Sequence, residues 1–141
     1  ECSLTERMPK GLYVASFQMA VRRDSPAGKL RFSELFGMGA PEFLSGEDEF
    51  YLLTARRKRL NIRFFPITIT VHAGLTTGHR RQLPGNITAS GALIRRQYPQ
   101  TWPPRLLLKA LRLTRASLSP ISLGKTLLLL LRGARRSPHL P

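Results

Sequence analysis

The stretch RLNIRFFPITITVHAG, Arg59 to Gly74, alternates apolar and polar residues as a half-buried strand does, and then changes phase. Leu60, Ile62 and Phe64 stand at even positions between Arg59, Asn61 and Arg63. Beyond Pro66 the apolar residues are Ile67, Ile69 and Val71, at odd positions, with Thr68, Thr70 and His72 between them. A period-two pattern that swaps faces requires an inserted residue, which is a bulge, or a reversal into a new strand. Proline cannot donate to a central ladder, so the swap is expected at Phe65 and Pro66. Either device lets Arg59, Asn61, Arg63, Thr68, Thr70 and His72 share one side of a sheet while the apolar residues face a helical layer.

Upstream the same reading continues. In LYVASFQMAVRR, Leu12 to Arg23, residues Tyr13, Ala15, Phe17, Met19 and Val21 fall on one face, and Ser16, Gln18, Ala20 and Arg22 on the other. DSPAG supplies turn residues at Asp24 to Gly28, and KLRFSEL alternates again over Lys29 to Leu35, so the two runs predict a hairpin. Acidic residues gather in Glu42 to Glu49 behind Pro41, where the positive end of a helix dipole favours them. One helix or two short ones are therefore expected over Glu42 to Thr54, with Gly46 as a possible break.

Beyond Gly74 glycine and proline punctuate the chain, and Leu75 to Leu93 reads mostly as loop, with a short helix over Ala89 to Gln97. RLLLKALRLTRASL, Arg105 to Leu118, is a basic amphipathic helix expected to start after Pro104 and to stop before Pro120. Such a helix is commonly a core or dimer helix with a solvated basic face, although the same pattern suits an anionic membrane or a protein groove. Residues 119–141 read as a basic, low-complexity tail. The expected organisation is one domain over 1–118 followed by that tail.

Composition narrows the function. The chain has 141 residues, a formal charge of +15 and only eight acidic residues, so a polyanionic partner is expected, nucleic acid before a membrane surface. All but five of the basic residues are arginine, which suits planar, bidentate phosphate contacts. A GC-rich coding sequence yields the same Leu, Arg and Ser bias without any function, as in overlapping viral genes. The single cysteine, Cys2, leaves no disulfide framework and no Cys-based zinc site. The longest apolar run, Leu127 to Leu131, falls far short of the roughly 20 residues that span a bilayer, and Glu1 to Lys10 is too polar for a signal peptide. Membrane attachment is not expected.

Catalytic signals are weak. GKT at Gly124 to Thr126 lacks the earlier glycine of a phosphate loop, since Ser119 stands in its place. His72, His79 and His139 have neither ligand spacing nor carboxylate partners, and Asn86-Ile87-Thr88 fits a glycosylation acceptor by chance alone. Trp102 suits core packing better than base stacking. No enzyme activity, cofactor, metal or small-molecule substrate is expected. The arrangement with most chemical content is the sheet: a polar face carrying Gln18, Arg22, Arg63, Thr68, Thr70 and His72 offers cations for phosphates and hydroxyls for ribose 2′-OH groups, which reads duplex RNA by shape.

SFQMAVRRDSPAGKLRFSELFGMG, Ser16 to Gly39, and NIRFFPITITVHAG, Asn61 to Gly74, resemble the core of the tombusvirus and aureusvirus RNA-silencing suppressors, small plant-virus proteins that bind siRNA. The likeness lies in Phe17, Arg22 and Asp24, Leu30, Gly39, Ile62 to Phe64, and Thr70 and Val71. It covers roughly Lys10 to Gly74. The resemblance implies an α+β fold: an antiparallel sheet with helices packed on one face and a concave polar RNA-binding face on the other, continued across a homodimer. It places RNA contacts at Gln18, Arg22, Arg63, Thr68 and His72, with Arg56, Arg57 and Arg59 adding phosphate contacts. No tryptophan precedes the first strand, so the end-bracket that measures duplex length in the larger members is absent from these residues, and a shorter aureusvirus-like member is implied.

The expectation is a viral suppressor of silencing that sequesters double-stranded RNA, siRNA and longer duplexes alike, in the host cytoplasm with the nucleus as a second site. The alternatives are a structural protein of a ribonucleoprotein and a membrane-associated protein of the viral movement type.

Overall fold

A computed structural model describes residues 2–3, 14–69, 71, 83–115 and 121–138. The chain forms two compact units. The N-terminal unit comprises 1–33 and 47–74, and the C-terminal unit comprises 34–46 and 75–141.

Helices, rather than a sheet, dominate the described residues. The antiparallel sheet expected from the alternation is reduced to one ladder two residues long, between β1 (Cys2–Ser3) and β2 (Arg63–Phe64), paired antiparallel as Cys2 with Phe64 and Ser3 with Arg63. The α+β expectation is corrected accordingly, and with it the concave sheet face and its continuation across a dimer. The physical reason lies in where the backbone groups find partners. An alternating run is a strand only if a neighbour supplies a ladder, and here short turns supply the bonds instead. In the first expected strand Ser16–Gln18 is a 3₁₀ turn, with Gln18 N–H donating to Ala15 C=O at 2.8 Å and Met19 N–H to Ser16 C=O at 3.0 Å. The expected second strand begins inside another 3₁₀ turn, Ala27–Lys29.

The phase change after β2 has an equally local cause. Ile67 N–H donates to Phe65 C=O at 2.8 Å, which closes a three-residue turn around Pro66. Neither a bulge nor a reversal is needed. Without a ladder beyond Phe64 the apolar residues have no layer to face, and Phe65, Ile67, Ile69 and Val71 are 52 to 89% exposed.

The N-terminal unit is organised by α1, Glu47–Arg57, with Glu47, Asp48 and Glu49 in its first turn and Arg56 and Arg57 in its last, both complementary to the helix dipole. It starts later than the sequence suggests because Gly46 takes φ +97°, which no helix accommodates. Phe50, Tyr51, Leu52 and Ala55 are buried. Tyr51 stacks on Phe32 with ring centroids 4.7 Å apart, and its hydroxyl donates to Ala27 C=O at 3.0 Å. Asp48, also buried, accepts hydrogen bonds from Ser16, while burial and then the neighbouring Glu47 raise its carboxyl above the ordinary aspartate range.

At its other end α1 closes with paired bonds, Leu60 N–H to Ala55 C=O at 3.0 Å and Arg59 N–H to Arg56 C=O at 2.9 Å. This is a Schellman cap, and its left-handed position, usually a glycine, is Arg59 at φ 53°.

In the C-terminal unit three helices surround one core: α2 (Pro84–Gln97), α3 (Trp102–Arg115) and α4 (Leu123–Arg135). Pro84 and Gly85, which read as interruptions, lie in the first turn of α2, where a missing N–H costs nothing. Pro103 and Pro104 do the same for α3, so it begins at Trp102 rather than at Arg105. The segment read as a low-complexity tail contains α4, capped by Ser122, whose hydroxyl accepts from Lys125 N–H at 3.4 Å. Its leucines look featureless in composition, yet at helical spacing they divide: Leu130 is fully buried and Leu128 is 67% exposed. Ile87, Leu106, Ala110, Leu113, Leu130 and Ala134 form the core, with Trp102 packed against it.

Helices α2 and α4 approach until backbone meets backbone. A Cβ at Gly91 would overlap the Leu130 carbonyl, and one at Gly133 would overlap the Thr88 carbonyl. Arg95 Nη1 donates to Ala134 C=O at 2.9 Å, and Ser137 Oγ to Ala92 C=O at 3.1 Å, fastening the end of α4 to α2. Before these helices, Phe36 and Phe43 stack at 4.6 Å, and Glu42 forms ion pairs with Arg132, at 3.7 Å, and with Arg136.

Candidate nucleic-acid interface

The expected RNA-contacting residues that the structure describes all belong to the N-terminal unit, on different kinds of backbone. Gln18 lies in a 3₁₀ turn, and its Oε1 accepts from Ala15 N–H at 3.0 Å. Arg22 is exposed and forms a two-pronged pair with Asp24, Nε and Nη2 each 3.1 Å from a carboxylate oxygen. That guanidinium holds the Asp24 carboxyl below its ordinary range. Arg56 and Arg57 end α1, Arg59 fills its cap, and Arg63 lies on β2 with Nε 3.4 Å from Asn61 Oδ1. Thr68 is exposed after the Pro66 turn, outside any helix or strand. Thr70 and His72 lie outside the described residues. No sheet face unites the set. What the fold does bring together is sequence-local: Arg56, Arg57 and Arg59 surround one helix terminus.

The stronger electrostatic feature lies elsewhere. From Leu75 to Pro141 the sequence carries twelve arginines and lysines and not one Asp or Glu. Glu42 pairs with Arg132 and Arg136, and the remaining cations of that stretch give a positive field that favours a polyanion. Helix α3 arranges part of this charge. Leu106, Ala110 and Leu113 are buried at i, i+4 and i+7, and Arg105, Lys109 and Arg112, with the same spacing one residue earlier, form a stripe beside that buried row. Successive members at i and i+4 stand about 6 Å apart along the axis.

Arg105 heads the stripe and is held in place. Its guanidinium carbon lies 3.7 Å from the ring centroid of Tyr98, and its Nε donates to Thr101 Oγ1 at 3.1 Å. Tyr98 ends α2, with N–H donating to Ile94 C=O at 2.9 Å, and Thr101 N–H returns to Tyr98 C=O at 3.1 Å. A tight turn thus carries both restraints. The neighbouring Arg95 lies 5.6 Å from the Trp102 ring. The solvent side of α4 adds Arg132 and Arg135 beside Leu128 and Leu131 around a shallow depression.

Sequence reading identified the α3 helix and its basic face but did not single out Tyr98, Arg105, Lys109 and Arg112 as a site. The available signal was the spacing of Tyr98, Thr101 and Arg105 across a proline-rich turn, which becomes informative only once α3 is known to begin at Trp102. Trp102 itself packs on the core, as expected. Among the described residues no cluster of three or more His, Cys, Asp or Glu side chains is placed to hold a metal. No described helix is long and apolar enough to cross a membrane. No family model, curated protein or solved structure matches the chain.

Proposed function

We propose that the protein binds RNA through its phosphate backbone without regard to base sequence, with double-stranded RNA as the first ligand to be tested. The carrying observation is the acid-free stretch from Leu75 to Pro141, folded so that α3 presents Arg105, Lys109 and Arg112 as one stripe. Arginine clusters around the α1 terminus in the other unit add a second source of phosphate contacts. Sequestration of duplexes from a silencing machinery is what such binding would accomplish in the setting that the suppressor resemblance implies. A homodimer would find uncharged apolar side chains in the exposed Phe64, Phe65, Ile67, Ile69 and Val71.

Fluorescence anisotropy with an RNA duplex, single-stranded RNA and duplex DNA of one sequence tests the reading. Affinity for RNA should fall steeply between 50 and 200 mM salt, as counterion release requires. Replacing Arg105, Lys109 and Arg112 together by Gln should weaken binding at least tenfold and flatten the salt slope. Unchanged affinity in that variant contradicts the proposal. A second reading, peripheral attachment to an anionic membrane, is favoured by Leu107, Leu108 and Leu128, each about half or more exposed amid cations. Flotation with anionic but not neutral liposomes is its signature.

A further inference from the structure

Resting on the RNA reading, we propose that the solvent side of the Arg105 guanidinium is a stacking platform for one unpaired RNA base. Two restraints fix this group. Tyr98 covers one face of its plane at 3.7 Å, and the bond from Nε to Thr101 Oγ1 sets its rotation within that plane. Arg105 is exposed, and so are Pro99, Gln100, Thr101, Pro103 and Pro104 around it, so the face away from Tyr98 opens to solvent. The prolines on either side of Thr101 and Trp102 limit the turn's freedom, which keeps the platform formed before any ligand arrives.

The geometry distinguishes a base from a phosphate alone. A guanidinium that only binds phosphate uses its N–H edge and leaves the face away from the ring unused. A planar cation with a backed face and an open face is suited to a flat, electron-rich partner, and bases stack on arginine planes as they do on aromatic rings. Bases inside a duplex present edges to a protein and a blunt end presents the face of a base pair, so only a loop, bulge or overhang delivers the face of a single unpaired base. Lys109 and Arg112 follow along the same stripe of α3 and take the flanking phosphates. The nucleotide beside the stacked one is thereby anchored, and the ligand class becomes RNA with an unpaired nucleotide next to a helical or extended backbone.

The test uses the full chain and an RNA duplex with a single 2-aminopurine in a 3′ overhang, beside a blunt duplex of equal length. Binding should quench the 2-aminopurine, and the overhang duplex should bind about tenfold more tightly than the blunt one, at the low end for one base stacked on a side chain. Arg105→Lys, which keeps the charge but loses the plane, should abolish the quench and the preference, and Tyr98→Leu, which removes the backing ring, should do the same while blunt-duplex affinity falls less than threefold. Circular dichroism confirms that both variants remain folded. Equal binding of both duplexes with no quench overturns the platform and leaves backbone binding intact. Failure of every RNA to bind at 150 mM salt overturns the platform together with the RNA reading.

Discussion

The two units treat their apolar residues in opposite ways. In the C-terminal unit Leu106, Ala110, Leu113, Leu130 and Ala134 recur at helical spacing and are buried against one another. In the N-terminal unit Phe64, Phe65, Ile67, Ile69 and Val71 form a denser apolar run, yet all stand at 39% exposure or more. A helix satisfies its own backbone, so its apolar stripe needs only another stripe to lie against. A strand satisfies nothing until a second strand arrives, and β1 offers just two residues. Apolar content therefore does not predict burial here; the reach of the required hydrogen bonds does.

Substitutions can break or sharpen this contrast. The largest effect is expected from Leu130→Ala, a fully buried site, with a loss of about 2 to 5 kcal/mol in chemical denaturation. Next come Gly91→Ala and Gly133→Ala, where a methyl group meets a backbone carbonyl that cannot rotate away, at about 1 to 3 kcal/mol each. In the same assay Gly124→Ala, whose new methyl group meets open space, should gain about 0.5 kcal/mol through a less flexible unfolded chain. If the two classes of glycine respond alike, the close crossing of α2 and α4 is wrong.

Asp48 provides a pH test confined to the N-terminal unit. Burial raises its folded-state pKa above the unfolded value, so the folded protein holds that proton more tightly. The stabilising contribution is complete below the unfolded pKa and is lost as pH rises through the folded one. Asp48→Asn should match the parent in acid and become relatively more stable as pH increases. A constant difference across the range would mean that the carboxylate is not desolvated. The smallest effect belongs to Ile67→Thr, expected within about 0.5 kcal/mol of the parent because the side chain is 69% exposed. A loss comparable with that of Leu130→Ala would show that a partner covers the run from Phe64 to Val71.

How much was legible in the sequence follows the same division. The α3 helix, a helix within Glu42 to Thr54 though not its start at Glu47, the breaking role of Gly46 and the core role of Trp102 were readable, because their causes lie within a few residues. The alternating runs misled. Leu12 to Arg23 and Lys29 to Leu35 have strand periodicity, but periodicity says which side would be buried and not whether a neighbouring strand exists. The change of phase was located correctly at Pro66, and its cause is a three-residue turn in place of a second strand. Low complexity concealed α4 for a different reason: in a run of five leucines composition is uniform, and the 3.6-residue repeat emerges only from which of them the neighbouring helix covers. Of the candidate site, the charge was evident and its arrangement was not. Arg105 gains its fixed plane from Tyr98 and Thr101, across a turn whose geometry no spacing rule supplies.

Arg59 sets up a conflict that selection could expose. It holds the left-handed place of the α1 cap, where glycine would relieve roughly 1 kcal/mol of backbone strain. Selection for heat resistance alone should find Arg59→Gly early. Selection for RNA retention should keep rejecting it if the cation is worth more than the strain. The residue that survives both regimes run in parallel would rank, from inheritance alone, what this helix end is for.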